Sequence, residues 1–195
     1  MENTMFAQSQ HGRQGGTDQG GTSLIKEDDL HYPCNSVEDK YKQQCYFLQP
    51  ATILLQNGRD VDGAFEECDK APKPYVAACY RGMGRDISGL TRGDIDESRD
   101  QCASGTDSYE AWCFEGVVAL LISHNWRTDE AVDFCADVPT GAKGRCVETI
   151  GEMVPGLHDD TASRNEECEK AKEEEWVTIC RRSANLDSRS EDEML

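Results

Sequence analysis

The sequence has few of the large apolar residues that fill most protein cores. Leucine, isoleucine, valine and phenylalanine together make up 33 of 195 residues, about 17%. This share is below the roughly 20% at which a highly charged chain is expected to be disordered. The longest apolar run, residues 117–122, is far too short to cross a membrane. The chain therefore needs another source of stability, and we expect no membrane insertion within this segment.

The sequence also lacks the common signatures of catalytic and metal sites. No C-x-x-C and no H-E-x-x-H occurs, which excludes the usual redox, zinc-ribbon and metalloprotease motifs. Four isolated histidines are present: His11, His31, His124 and His158. They have no ligand spacing, so we expect surface or loop histidines rather than metal ligands. We therefore predict no catalytic residue, no metal site, no cofactor and no enzymatic activity for this segment.

Basic residues are scarce as well. Twenty lysines and arginines stand against 38 acidic residues, which gives a net charge of −18. A charge of this sign disfavours binding to nucleic acid or to anionic lipid. It favours a basic protein or peptide partner, or a cation, although solubility alone also accounts for it.

What the sequence has instead is ten cysteines at regular intervals. The gaps between them are 11, 23, 11, 23, 11, 22, 11, 22 and 12 residues. The cysteines are Cys34, Cys45, Cys68, Cys79, Cys102, Cys113, Cys135, Cys146, Cys168 and Cys180. A fixed period in this range is typical of stacked helical repeats. We call each stretch that begins at the first cysteine of a short gap a unit.

Aromatic residues keep the same register as the cysteines. Four positions before the second cysteine of the five units stand Tyr41, Tyr75, Tyr109, Ala142 and Trp176. Residues at i and i+4 share one face of a helix, so we expect a helix whose aromatic face is turned inward. No stretch alternates as a strand would. The sequence predicts an all-α, disulfide-bridged helix-hairpin repeat, similar to an α-solenoid, with a period of 33–34 residues.

The cysteines can pair in two registers. The adjacent register joins cysteines across the short gap, as in Cys68–Cys79, and the offset register joins them across the long gap, as in Cys79–Cys102. Helix lengths permit both. Parity favours the adjacent register, because the offset one leaves Cys34 and Cys180 without partners. Five disulfides that each close a short loop would compensate for the small core, and they indicate an oxidising, extracytoplasmic location: periplasmic, cell-surface or secreted.

The chain divides into four predicted segments. Residues 1–12 resemble the end of a repeat helix whose earlier turns are missing, and they show no features of an export signal. Residues 13–33 are rich in glycine and are expected to form a flexible linker or insertion. Residues 34–182 are the cysteine-containing helical repeat domain, and residues 183–195 are an acidic tail that we expect to be disordered.

Several local signals predict where helices begin and end. Ser36 is expected to cap the first long helix, and Thr128 a later short one. Pro155 is expected to stop the long helix of the fourth unit early. The Asp60-x-Asp62-Gly63 sequence resembles part of a calcium loop, but the remaining ligand positions are missing, so helix capping explains it better.

Two glycine-containing motifs have alternative interpretations. Gly82 and Gly84 resemble the start of a dinucleotide-binding fingerprint, but no strand precedes them. Together with Gly116 and Gly151, they are expected to let neighbouring helices approach closely. The tripeptide at residues 92–94, Arg-Gly-Asp, can be an adhesion ligand in an extracellular protein, but it also suits a helix stop followed by a cap.

The helix-pair period and the regular cysteines resemble the disulfide-bridged Sel1-like repeat proteins of the tetratricopeptide-like superfamily. The resemblance covers Cys34 to about Arg182 and concerns architecture, since the tetratricopeptide consensus residues do not match these units. It implies a concave face that binds a peptide or protein. We therefore expect an extracytoplasmic interaction or structural module without its own catalysis. The alternative is part of a larger metal- or cofactor-dependent enzyme whose active residues lie upstream of Met1.

Overall fold

The computed structural model describes Lys26 and residues 28–186 of the chain, and this part is helical. Long and short helices alternate along it: α1 (Asp39–Gln56), α2 (Val61–Asp69), α3 (Lys73–Leu90), α4 (Ile95–Cys102), α5 (Asp107–Asn125), α6 (Asp129–Ala136), α7 (Thr140–Leu157), α8 (Thr161–Glu169) and α9 (Glu174–Ser183). An isolated bridge between Lys26 and Asp29 is the sole β-type pairing within the described residues. The all-α prediction is confirmed, whereas the solenoid-like equivalence of the units stays a prediction.

The helices pack in chain order. The odd-numbered helices α1, α3, α5, α7 and α9 contact one another in succession, and each of α2, α4, α6 and α8 packs against the helix before it and the helix after it. We call the first set the long helices and the second the short helices. In the described part of the chain, no helix is both long and apolar enough to span a membrane.

All ten cysteines form disulfides, in the adjacent register that parity favours. The pairs are Cys34–Cys45, Cys68–Cys79, Cys102–Cys113, Cys135–Cys146 and Cys168–Cys180. Their Cα–Cα distances of 5.4–5.7 Å are ordinary for disulfides. Four of the bridges join the end of a short helix to the next long helix, and the first joins the turn before α1 to α1 itself.

Aromatic side chains connect successive units. Tyr46 and Tyr80 each follow the second cysteine of a unit and are fully buried. The ring of Tyr75 stacks on that of Tyr46 with centroids 5.2 Å apart, and Tyr109 packs on Tyr80 at the same distance. Tyr41 departs from the predicted inward orientation, since it is 45% exposed. The reason is that no long helix precedes α1 in the described part of the chain to receive its ring.

Four glycines bring the long helices into backbone contact, as the sequence predicts. A Cβ atom at Gly82 would clash with the carbonyl oxygen of Phe47 on α1. Likewise, Gly84 and Gly116 face the backbone across the α3–α5 contact, and Gly151 faces the carbonyl oxygen of Cys180 on α9. A side chain at any of these positions would have to push two helices apart.

Some predicted helix ends are right and others are wrong. The carboxylate of Asp60 accepts a hydrogen bond from the Gly63 N–H at 3.2 Å, which confirms capping. Thr128 precedes α6 but makes no capping bond, because its hydroxyl donates to Glu167 instead. Helix α7 continues through Pro155 to Leu157, since a proline this close to the end removes a hydrogen bond only from the last turn. Ser36 does not cap α1, which begins three residues later.

Both ends of the described chain are attached to the helices. Residues 28–33 fall within the predicted linker, yet they form turns against α1, where the Gln49 amide donates to the carbonyl oxygens of Leu30 at 2.6 Å and Tyr32 at 3.1 Å. At the other end, Ala184 follows α9 and is fully buried. The predictions for residues 1–12, for 13–25 and for the tail from 187 onward lie outside the described residues.

We expect Gly84→Ala to lower the free energy of unfolding by about 1–3 kcal/mol, because the new methyl group would overlap the α5 backbone. Gly144→Ala is the matched control in α7: a Cβ there meets no atom within 4 Å, and it should stabilise the helix by about 0.5–1 kcal/mol. Urea unfolding followed by circular dichroism measures both. Equal effects of the two substitutions would contradict the close packing at Gly84.

Replacing both Cys102 and Cys113 by alanine should lower the free energy of unfolding by about 3 kcal/mol, because the unfolded chain loses the constraint of a closed short loop. Denaturant titration of the oxidised double variant gives this value. Thiol titration in denaturant should find no free thiol in either protein. Two free thiols in the wild type, or an unchanged stability of the variant, would contradict the adjacent pairing.

Candidate functional site

The cysteines and histidines do not form a reactive centre in the described part of the chain. Every cysteine is held in a disulfide. No group of three or more histidine, cysteine, aspartate or glutamate side chains among the described residues is placed to hold a metal ion. His31 lies 3.8 Å from Glu67, and His158 lies 3.3 Å from Glu167. His124 lies exposed near the end of α5, and His11 lies outside the described residues.

A cavity of about 690 Å³ opens between the C-terminal ends of α3 and α5, and we call it the α3/α5 groove. Ile95, Leu120 and Leu121 give it apolar walls, and the backbone at Gly89 and Gly93 leaves part of it open. Its size falls in the range of ligand-binding pockets, which are mostly apolar with a few polar groups. The groove is therefore suited to an apolar side chain.

Left-handed residues shape the ends of this groove. Arg92 (φ 57°) and Gly93 (φ 81°) end α3, and the Gly93 N–H donates to the Ser88 carbonyl oxygen at 2.9 Å. The next residue, Asp94, caps α4 by accepting a hydrogen bond from the Glu97 N–H at 2.9 Å. The Arg-Gly-Asp tripeptide thus ends one helix and caps the next. This is the second of the two interpretations that the sequence allows for residues 92–94.

Exposed apolar side chains lie beside the groove. Trp126 directly follows the lining residue Asn125 and is 74% exposed, and Leu90 directly follows the lining residue Gly89 and is 38% exposed. Trp126 adopts a left-handed conformation (φ 55°) at the end of α5. An exposed tryptophan next to a groove offers apolar area that a partner could cover. Sequence reasoning missed it, because its position outside the cysteine register carries no signal.

Polar groups line the same groove. Arg92 and His124 border it from the long-helix side, and Glu130 of α6 borders it from the short-helix side. The Glu130 carboxylate accepts a hydrogen bond from the Asn125 amide at 2.5 Å and lies 3.6 Å from Arg127. One wall of the groove can therefore contact a positively charged group on a ligand.

The charges are divided unequally between the two sets of helices. The four short helices carry 13 acidic and two basic side chains. The five long helices carry nine of each. The net charge of the described helices is thus concentrated on the short ones. Because α4 and α6 both contribute to the α3/α5 groove, two acidic helices form part of its border.

A buried carboxylate joins three long helices elsewhere on the molecule. Glu115 of α5 is 5% exposed and lies 2.9 Å from Arg81 of α3 and 3.4 Å from Arg145 of α7. Burial raises the pKa of Glu115, and the two arginines only partly oppose this effect. The guanidinium of Arg145 also lies 3.7 Å from the ring centre of Trp112. All of these charges are used within the fold, so we interpret the cluster as structural.

Glu167 of α8 is a second carboxylate with several partners. Its side chain accepts hydrogen bonds from the Thr128 hydroxyl and from Lys170 at 2.8 Å, and His158 lies 3.3 Å away. Burial raises the pKa of Glu167, but these donors outweigh it and hold the pKa below its ordinary value. The ionised carboxylate therefore contributes stability above the pKa of the unfolded chain, and that contribution is lost as the pH falls.

We expect Glu167→Gln to destabilise the protein by about 1–3 kcal/mol at pH 7, because charged hydrogen bonds are lost. The difference from the wild type should shrink as the pH falls from about 5 to about 3, where Glu167 itself becomes protonated. Urea unfolding across this pH range measures the effect. The exposed neighbour Glu166 provides the control Glu166→Gln, which should leave both stability and pH dependence unchanged. A difference independent of pH would contradict this role for Glu167.

Comparison with known proteins gives no relative for this chain. No family model matches it, and no curated protein and no solved structure matches it either. The groove and the charge distribution are therefore interpreted from the residues themselves.

Proposed function

We propose that this chain is a non-enzymatic interaction module that works outside the cytoplasm. Its partner would be a protein or peptide segment that places an apolar side chain in the α3/α5 groove and basic side chains against α4 and α6. The apolar lining of the groove, which lies beside the acidic helices α4 and α6, is the observation that carries the proposal. The alternative, part of a larger metal- or cofactor-dependent enzyme, stays a hypothesis.

The proposed apolar side chain of the partner is supported by the residues of the groove and of its border. Leu120 and Leu121 offer apolar contact inside the groove, and Trp126 stands exposed beside it. Tryptophan is enriched among the residues that dominate binding energy at interfaces. The disulfides Cys102–Cys113 and Cys135–Cys146 join α4 to α5 and α6 to α7, and they limit the movement of these helices. A groove that is already in place loses less entropy on binding.

The proposed basic side chains of the partner are supported by the acidic charge of two short helices. Helices α4 and α6 together carry six acidic side chains and one basic side chain, Arg99. Opposite charges across an interface speed association and exclude partners of the wrong sign. A partner with lysine or arginine beside its apolar anchor would therefore be selected over a neutral or acidic one.

The extracytoplasmic part of the proposal is supported by the disulfides. Five of them suggest an oxidising environment, since such bonds are rare in the cytosol. Periplasmic, cell-surface and secreted locations all provide this environment. The similarity to Sel1-like repeats, if it reflects function, would agree with the binding of a peptide.

A phage-displayed peptide library selected on the oxidised protein tests the proposal. We expect enriched peptides to combine an aromatic or large aliphatic residue with lysine or arginine. Trp126→Ala should weaken the best synthetic peptide by about tenfold or more, and Glu130→Gln by a smaller factor that falls as salt is added. Titration calorimetry gives these affinities.

Tyr41→Ala is the matched control, because Tyr41 is also an exposed aromatic residue, at 45%, but lies near the start of α1. We expect it to change the peptide affinity less than twofold. Peptides that bind the Trp126 and Tyr41 variants equally well, or enriched peptides without basic residues, would overturn the proposed function.

A further inference from the structure

One side of α1 carries an exposed apolar row, and this observation does not depend on the proposed function. Tyr41, Leu48 and Leu55 follow one another at intervals of seven residues, so they lie along one side of the helix. Tyr41 is 45% exposed and Leu55 is 58% exposed, and Leu48 between them is half-buried. Gln44 and Ala51 are exposed and complete the row. We call these five residues the α1 stripe.

The later units show what the corresponding side of a long helix contacts inside the molecule. Gly82 of α3 and Gly116 of α5 stand in the same register as Leu48, three residues after the second cysteine of the unit. Each glycine faces the backbone of the preceding long helix so closely that a Cβ atom would clash with it. With leucine in this position, α1 cannot receive another helix in that close contact. A helix that covers the stripe must pack at the ordinary axial distance of about 8–10 Å, with side chains that interdigitate.

The opposite end of the helix array is covered by polar side chains. Arg181 of α9 directly follows the second cysteine of its unit, as Tyr46 and Tyr80 do in theirs. Its guanidinium lies 3.0 Å from the Glu169 carboxylate and donates to the Asn165 side-chain oxygen at 3.0 Å. Polar outer faces on the terminal units keep repeat arrays soluble. Because α9 has such a face, the α9 end of one copy does not match the apolar α1 stripe of another.

The distribution of charge indicates what covers the stripe. Residues 43–58 contain no charged side chain, although charged residues make up 30% of the chain and its net charge is −18. Two copies of so acidic a chain repel each other. At the α1 stripe they can meet without placing like charges opposite each other. A strongly charged partner of another kind would find no ion pair on residues 43–58.

The order of the side chains favours an antiparallel pair of α1 helices. In a pair centred near Leu48, Tyr41 of each copy lies beside Leu55 of the other copy, so the exposed ring covers the exposed leucine. Lys40 and Lys42 then lie at opposite ends of the pair, next to the uncharged end of the other α1. In a parallel pair these lysines would lie close to the same lysines of the other copy, and such juxtaposition of like charges is unfavourable.

We propose that the α1 stripe binds the α1 stripe of a second copy and that the two copies form an antiparallel, two-fold symmetric dimer. A two-fold contact of this kind occupies the stripe of both copies, so the assembly ends at two. Helix α1 has 18 residues and is about 27 Å long. One such pair of helices is at the small end of protein interfaces, so we expect a dissociation constant of roughly 10–500 μM.

Sedimentation equilibrium of the oxidised full chain at about 5 μM to about 1 mM tests for the dimer. We expect the average mass to rise with concentration from 21.7 kDa towards twice that value. Raising the salt from about 0.05 to about 0.5 M should strengthen the dimer, because salt screens the repulsion between two acidic copies. A constant mass of one chain at every concentration, or a dimer that salt weakens, would overturn the proposal.

Lysine substitutions locate the interface. We expect Leu55→Lys to weaken the dimer by about tenfold or more, because it places an ammonium group beside Lys40 and Lys42 of the other copy. The substitution also lowers the net negative charge, so general repulsion by itself predicts a stronger dimer. Leu90→Lys is the matched control at the exposed leucine that ends α3, and it should change the affinity less than twofold. Equal effects of the two substitutions would overturn this interface.

Nuclear magnetic resonance of an equal mixture of ¹³C-labelled and unlabelled protein tests the orientation. Tyr41 and Leu55 are 14 residues apart on one helix, or about 21 Å, so a nuclear Overhauser effect between their side chains cannot arise within one copy. We expect isotope-filtered spectra to show this contact between copies. Contacts of Tyr41 with Tyr41 would overturn the antiparallel arrangement. Contacts of the stripe with residues 1–25 of the same chain would assign the face to that segment and overturn the dimer.

Discussion

The disulfide between each short helix and the next long helix is the constraint on which this structure depends. The short helices have eight or nine residues, and helices shorter than about 12–15 residues are marginal in water by themselves. Helix α8 shows the consequence most clearly, because Cys168 is its one buried residue. The bond from Cys168 to Cys180 on α9 and the hydrogen bond between Glu167 and Thr128 hold α8 in place. A covalent bond here replaces the apolar surface that a larger core would bury.

The long helices use three different contacts to pack in succession. Tyr46 and Tyr75 stack between α1 and α3, and glycines such as Gly84 bring α3 and α5 into backbone contact. The fourth unit has Ala142 in place of the aromatic residue. At that contact, Glu115 of α5 pairs with Arg145 of α7. Burying Glu115 costs desolvation, and its pairing with Arg145 offsets part of that cost.

The sequence predicts features that depend on spacing along the chain, and it misses those that depend on distant partners. The cysteine period predicts the helices and the adjacent disulfides, and Gly84 and Asp60 behave as their local patterns indicate. Thr128 does not, because Glu167, 39 residues further along the chain, binds its hydroxyl. The α3/α5 groove likewise arises only when separate units come together, so no local pattern predicts it.

The uneven charge links stability to the proposed binding. Thirteen acidic side chains on four short helices repel one another, which disfavours the compact state. The disulfides offset this repulsion, because they stabilise the fold by constraining the unfolded chain. Their contribution does not depend on the charge of the surface. A basic partner on α4 and α6 would relieve the repulsion, and this relief adds to the affinity gained from direct ion pairs. The charge that weakens the free protein would therefore strengthen the proposed complex, provided that the disulfides hold the helices in place before the partner binds.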